Sequence, residues 1–396
     1  MSGLSKGLFI VGAKRTAFGT FGGSLKNFTA TDLQVIANKA AIQNAAIKPE
    51  EIDHVIIGNV CQTSKDAIYL ARHSALKVGI PVPVPAVTVN RLCGSGFQSV
   101  IDGCLQILAG DSNVVLAGGT ESMSQAPYIV RGTRFGTTLG KPYEFEDSLW
   151  SGLTDAYVNK PMAITAEKLG EMYKISRNEV DEYANKSQIR WSLANNSGIF
   201  KDEITPMTIK GKKGDIIFEV DEHPRATTLE KLQSLPPVFQ KNGLVTAGNA
   251  SGICDGAAAC VIASDDAVNK LKLEPLVKIS GWSVSGCDPS IMGIGPVPAI
   301  NNLVKKTGIT LDKVDLIEIN EAFAPQVLAC QKELKVDGDK LNVNGGAIAL
   351  GHPLAASGTR ILCHLAHQMK RKNVKYGIGS ACIGGGQGIA VLLERV

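Results

Sequence analysis

Residues able to do chemistry are concentrated in a few short segments of this 396-residue chain. In Asn90-Arg91-Leu92-Cys93-Gly94-Ser95-Gly96-Phe97, a cysteine stands where a strand pattern gives way to an amphipathic helix pattern. The flanking glycines let the backbone turn tightly. The free N–H groups and dipole of a helix start favour a thiolate, so the position predicts a Cys93 pKa below the usual ~8.5 and a nucleophilic thiol. The competing reading is a small buried residue, the one adopted for Cys104, Cys260 and Cys363. In Gly345-Gly346-Ala347-Ile348-Ala349-Leu350-Gly351-His352-Pro353, a histidine fixed between glycine and proline just before a helix could serve as a positioned base. Ser380-Ala381-Cys382-Ile383-Gly384-Gly385-Gly386-Gln387-Gly388 invites a phosphate-loop reading. The apolar run that follows, Ile389 to Leu393, reads as a strand, whereas a dinucleotide fingerprint requires a helix there. Bare glycine amides could instead face a developing oxyanion, with Cys382 beside them carrying a proton. Asn320, at the end of a strand pattern, could hold a water or polarise a carbonyl, or could only cap the next helix.

The elements that must position these residues repeat along the chain. Ile52 to Gly58 is an apolar strand pattern, followed by Thr88-Val89-Asn90, the glycine turn at Cys93 and a helix with apolar Phe97, Val100, Ile101, Cys104, Leu105 and Leu108. Val314 to Asn320 repeats the strand, followed by Asn342-Val343-Asn344, the turn around His352 and a helix with Ile361, Leu362, Leu365 and Met369. Each helix leads to a buried-type strand, Asn113 to Ala117 and Tyr376 to Ser380, that runs into glycines. This order predicts a duplicated α/β unit with covered sheets. Between the halves, roughly residues 120 to 250, lies a more charged stretch read as a lid-like insert. Ser176-Arg177-Asn178-Glu179 is a capping box for a helix toward Asn195, Pro161 opens another through Glu171, and Lys210 to Pro237 reads as hairpin and loop. His364 and His367, on a helix rich in Lys and Arg further along, are read as a solvated face and not as a metal site.

Composition narrows the function classes. The 42 glycines exceed the usual ~7%, without a Gly-X-Y period or Gly/Ser tract, so they are local backbone devices. Net charge is +4, from 41 basic and 37 acidic residues well mixed, which gives no basic field for nucleic acid. The apolar runs are far shorter than the ~18 residues of a membrane span. Nine cysteines, without CxxC pairs, argue against a disulfide framework and a zinc ribbon and for a reducing compartment. Lys6, Lys14, Arg15 and Lys26 precede the first acidic residue, Asp32, which fits an organellar address, although Leu8 to Val11 reads better as the first strand. The chain does not end in Ser-Lys-Leu.

Taken together, the motifs resemble the thiolase family over essentially the whole chain. Cys-Gly-Ser-Gly at 93 to 96, Gly-Gly-Thr-Glu-Ser-Met at 118 to 123, Asn-Glu-Ala-Phe at 320 to 323, Gly-His-Pro at 351 to 353 and Cys-Ile-Gly-Gly-Gly at 382 to 386 occur in family order. Asp-Ser-Leu-Trp at 147 to 150, Leu-Thr-Asp at 153 to 155 and Pro-Met-Ala at 161 to 163 point to the mitochondrial branch that cleaves 3-ketoacyl-CoA. Acetoacetyl-CoA-specific members usually carry His-Met-Gly at the last site.

The resemblance implies an α/β fold of duplicated βαβαβαββ halves in a layered α/β/α/β/α core. Residues 1–120, completed by about 250–272, would form the first half, 121–249 an inserted loop domain for CoA binding and tetramerisation, and 273–396 the second half. It implies Cys93 as the acylated nucleophile, His352 as its base and Cys382 as the second acid/base. Asn320 would hold a water that forms one oxyanion site with His352, and the N–H groups of Cys93 and Gly384 would form the other. Arg225, Thr227 and Ser251 match CoA contacts. The implied protein is a homotetramer in the mitochondrial matrix, or alternatively the cytoplasm, with CoA as substrate and no permanently bound cofactor or metal. Two other readings remain open: an acetoacetyl-CoA thiolase working biosynthetically, and a non-catalytic acyl-CoA or lipid-binding relative. Ala355 stands where relatives commonly have glycine and requires an unstrained φ, and Ala17 replaces a frequent proline.

Overall fold

The computed structural model describes residues 6–211 and 214–396. Lys212 and Lys213, in the turn of the expected hairpin, lie outside them; its strands Met207–Ile209 and Ile216–Phe218 pair antiparallel. A continuous sheet runs through β1 (Leu8–Thr16), β2 (His54–Gly58), β3 (Ala86–Val89), β4 (Val114–Glu121), β5 (Cys254–Ser264), β6 (Val277–Gly286), β7 (Leu316–Ile319), β8 (Tyr376–Ile383) and β9 (Gln387–Glu394). Its spatial order is β7-β8-β9-β6-β1-β5-β4-β2-β3. Two sets of strands share one pattern. In the first, β1, β5 and β4 are antiparallel and β2 and β3 continue parallel; in the second, β6, β9 and β8 are antiparallel and β7 continues parallel. They join only where Phe9 and Ile10 face Lys278 and Val277.

The expected counterpart of β3 is reduced to a single parallel bridge beside β7: Leu341 pairs with Ile317, the Ile317 N–H donating to the Lys340 carbonyl and the Asn342 N–H to the Ile317 carbonyl, both at 2.9 Å. Asn342 adopts φ +47°, and its side chain donates to the Ile319 carbonyl and accepts from the Ile319 N–H, so side-chain bonds replace further backbone pairing at the end of β7.

Helices α1 (Ala30–Asn44), α2 (Ser95–Ala109), α3 (Met162–Met172), α4 (Arg177–Asn196), α5 (Pro296–Thr307), α6 (Ala324–Leu334) and α7 (Leu354–Lys372) complete the layers. α2 and α7 pack together between the two sets of strands, α1 covers the first set from outside, and α5 and α6 cover the second. This is the layered arrangement the motifs imply. α4 starts at the expected capping box: Ser176 Oγ accepts from the Glu179 N–H at 3.2 Å, and the Ser176 N–H donates to the Glu179 carboxylate at 2.7 Å. In α2, Ile107 fills the core and Leu105 is 47% exposed, one position off the expected stripe. Ala355 is buried in helical backbone outside the positive-φ residues, so its methyl introduces no strain.

His364 corrects the sequence reading. It is buried, with Nδ1 2.6 Å from Glu203 and Nε2 3.6 Å from Glu318. Burial opposes its charge, yet the two carboxylates raise its pKa overall. The basic cluster that suggested a solvated face is confined to the last turn, Lys370 to Lys372, whereas the rest of α7 lies in the middle layer. Glu203 also accepts from the fully buried Arg15 at 2.7 Å, and Arg15 forks onto Asp221 at 2.6 and 3.0 Å. No described helix is long and apolar enough to cross a membrane.

The starts of α2 and α7 meet without intervening side chains. A Cβ on Gly96 would collide with the Ala355 carbonyl oxygen, and one on Gly358 with the Phe97 backbone nitrogen. Thr359 Oγ1 donates to the Gly96 carbonyl at 3.0 Å across the same contact. Backbone atoms on both sides leave no flexible group to yield. Gly96→Ala is therefore expected to lower stability by about 1–3 kcal/mol, the cost of overpacking a core. Denaturant unfolding measures it, and an unchanged midpoint would contradict the contact.

Candidate active site

Cys93 follows β3 through a tight turn and sits just ahead of α2. Leu92 is held at φ +47°, a costly conformation for a side-chain-bearing residue. Ser95 holds the turn: its hydroxyl donates to the Leu92 carbonyl at 2.7 Å and accepts from the Arg91 N–H at 2.8 Å. Cys93 opens on a cavity of about 200 Å³, which His352, Gly384 and Ser251 also line. The rest of the lining is mostly apolar, including Leu92, Met123, Leu153, Met162, Ile253 and Met292.

The expected low thiol pKa is not what the structure gives. Burial pushes Cys93 up to about 11, against hydrogen bonds to its sulfur from the Gly384 N–H and its own N–H. A helix start contributes about 0.3–1 kcal/mol, less than the ~1.4 kcal/mol of a single pKa unit, so it cannot offset desolvation of this size.

His352 sits in the Gly-Pro turn at the start of α7. The Ser357 hydroxyl donates to the Pro353 carbonyl at 3.0 Å and thus accepts from His352 Nδ1, 2.6 Å away. That network assigns the proton to Nδ1 and makes Nε2 a hydrogen-bond acceptor. Burial lowers His352 to about 3, with the Arg360 guanidinium adding to the effect. The resting pair is therefore neutral thiol and neutral imidazole. Asn320 lies behind the cavity wall with Nδ2 3.3 Å from His352 Nε2, and its Oδ1 has no partner among the described residues.

Cys382, at the end of β8, is fully buried and packs on Met292, Ala322 and Phe323 of the wall. Burial raises its thiol pKa well above the ordinary value, and the nearby Cys93 sulfur adds to the rise. Gly385 and Gly386, at φ +78° and +85°, turn the chain after Gly384 so that its amide faces Cys93. Arg225 and Thr227 do not join this group. They line a second cavity of about 230 Å³ with His223 and Lys231.

Sequence reasoning missed three supports. Only its place in the first turn of α7 shows that Ser357 orients His352. Glu321 received no role beside Asn320. Its carboxylate is buried and accepts from Tyr183 at 2.9 Å, Ser187 at 2.7 Å and the Ile348 N–H at 3.0 Å, tying α4 to the segment before His352. Glu121 accepts from the Val60 N–H at 2.6 Å and Asn59 Nδ2 at 2.9 Å, fixing the loop beside Cys93, and burial raises it to about 7. Single-position patterns carry no signal for such long-range partners. No cluster of three or more His, Cys, Asp or Glu able to hold a metal ion occurs among the described residues.

The fold and this cysteine–histidine–cysteine site define a class. Residues 8–266 match the thiolase N-terminal domain and residues 273–395 the thiolase C-terminal domain, so the chain belongs to the thiolase family, a family of acyltransferases. It is 60% identical to the bovine mitochondrial 3-ketoacyl-CoA thiolase over 99% of both chains. It is 45% identical to an acetyl-CoA acetyltransferase of Syntrophomonas wolfei, over 99% of this chain and 100% of the relative. The crystal structure of human mitochondrial 3-ketoacyl-CoA thiolase in complex with CoA superposes with a TM-score of 0.97 at 59% identity, covering 100% of this chain and 99% of that one.

A neutral resting thiol has a measurable signature. Alkylation of Cys93 by iodoacetamide, followed by mass spectrometry of its peptide, is expected to accelerate steadily between about pH 7 and 10 as the thiolate fraction grows. A plateau reached below pH 7 would indicate a preformed thiolate–imidazolium pair and contradict the assignment.

Proposed function

We propose that the chain is a 3-ketoacyl-CoA thiolase, which cleaves 3-ketoacyl-CoA with CoA into acetyl-CoA and a shortened acyl-CoA, the last step of fatty acid β-oxidation. The carrying observation is one apolar cavity that brings Cys93, His352 and the Gly384 amide together. Full-length similarity to the bovine and human enzymes supports the substrate class.

His352 Nε2 takes the Cys93 proton as the sulfur attacks the ketone carbon, a transfer suited to a neutral base and a neutral thiol. The N–H groups of Cys93 and Gly384, already directed at the sulfur, hold the oxyanion that develops on the carbon bonded to it. Scission of the carbon–carbon bond leaves the acyl group on Cys93 and releases the enolate of acetyl-CoA. Asn320, through a water on its free Oδ1, and His352 stabilise the enolate oxygen, and Cys382 supplies the proton to its α-carbon. Cys382 then takes the proton of the incoming CoA thiol, which attacks the acyl carbon, and His352 returns its proton to the departing Cys93 sulfur. Burial of Cys382 suits the second role, because a thiol costly to ionise is a strong base once ionised.

Arg225 and Thr227 bind the nucleotide end of CoA in the second cavity, and Ser251 contacts its thiol-bearing arm in the first. Residues 121–249 form the CoA-binding and tetramer-forming region, residues 1–120 with about 250–272 the first half, and 273–396 the second. The protein works as a homotetramer in the mitochondrial matrix, the location of its named mitochondrial relatives.

The apolar wall at Met162, Leu153 and Met292 admits medium-length acyl chains. Thiolysis rates measured from acetoacetyl-CoA to 3-ketohexadecanoyl-CoA are expected to stay high through the medium lengths. Collapse of the rate beyond acetoacetyl-CoA would refute this preference, and absence of acetyl-CoA from every substrate would refute thiolysis itself.

A further inference from the structure

His223 has no part in the chemistry above, yet it lies between the two cavities. It is 9% exposed, and its Nδ1 has no hydrogen-bond partner among the described residues. Burial, reinforced by Arg225, lowers it to about 4, so the ring is neutral. What holds it is its segment. The preceding Asp221 accepts from Arg15 and from the Phe18 N–H at 2.8 Å, and Glu222 accepts from the Thr20 N–H at 3.0 Å.

One side of the imidazole lies against Gly252, where even a single Cβ would collide with the ring. The Gly252 carbonyl accepts the His352 backbone N–H at 2.9 Å. The His223 Cβ also lies within van der Waals reach of a Cβ built on Gly351, the residue preceding His352 and held at φ +98°. The ring thus abuts the backbone at Gly252 that bonds His352, the His223 Cβ stands near Gly351, and the side chain lines the second cavity beside Arg225 and Lys231. The chain from Ala247 to Gly252 makes the same passage, lining the second cavity at Ala247 and Gly248 and the first from Ala250 to Gly252.

We propose that His223 is a positioning residue through which occupancy of the Arg225 cavity fixes the backbone that carries His352. The proposal rests on the reading that this cavity takes the nucleotide end of CoA. A group seated there presses the ring onto Gly252 and holds the Gly252–His352 hydrogen bond, so binding far from the reacting carbon is spent on orientation of the base.

The test uses acetyl transfer from preformed acyl-enzyme, with CoA or pantetheine, which lacks the nucleotide, as acceptor. At saturating thiol the wild-type rate with CoA is expected to exceed that with pantetheine by about a hundredfold, and His223→Ala to bring the two within about fivefold. His223→Phe, which keeps a flat ring against Gly252, is expected to recover most of the wild-type ratio. A wild-type ratio near one overturns the proposal whether or not the variants fold. So does an unchanged ratio in His223→Ala, a loss confined to the CoA concentration for half-saturation, or a Phe variant no better than Ala. Failure of the wild-type acyl-enzyme to form or to react with CoA at all would instead overturn the thiolase reading.

Discussion

Two helix starts, one from each set of strands, are pressed together so closely that backbone meets backbone, and the site depends on that contact. α2 brings Cys93 and α7 brings His352. The glycines at 96 and 358 leave room for the Ala355 carbonyl and the Phe97 amide, and Thr359 bonds across to Gly96. Flanking strands deliver the remaining groups to the same end: β7 runs to Asn320 and β8 to Cys382. The helices are buried between sheets on both sides, so a local shift is resisted by the packed core as a whole.

Placing the reacting groups in that middle layer sets their protonation. Desolvation raises both thiols and lowers the imidazole, and it outweighs the helix start and the amides near Cys93. The result is an uncharged resting site, which in the proposed mechanism couples proton transfer to attack. The same scarcity of water makes the directed amides of Cys93 and Gly384 effective when charge develops, because donors fixed in advance need no reorganisation.

Much of this was legible in the sequence. The strand and helix order of both halves, the capping box at Ser176, the buried stripe of α7 and the chemical residues all stood in local patterns of spacing and turn chemistry. What failed depended on distant context. Asn342-Val343-Asn344 has a strand-like sequence, but backbone pairing with β7 stops at Asn342, whose side chain takes over the bonds to Ile319. His364 reads as surface until both faces of α7 are seen to be covered. The Cys93 pKa follows the helix start in sequence and the surrounding protein in the fold. Ser357, Glu321 and Glu121 were visible as letters, but their roles exist only through partners that spacing does not reveal.

The glycine excess of the composition belongs to this same geometry, serving close approaches between layers and the turn that aims the Gly384 amide. In the proposed mechanism the chain's two halves converge on Cys93 as the residue that carries the acyl group. Brief incubation with acetyl-CoA without acceptor thiol, acid quenching and peptide mass spectrometry tests this most directly. An acetyl group is expected on the Cys93 peptide and none on the Cys382 peptide. Acetylation of Cys382, or of neither cysteine, would contradict it.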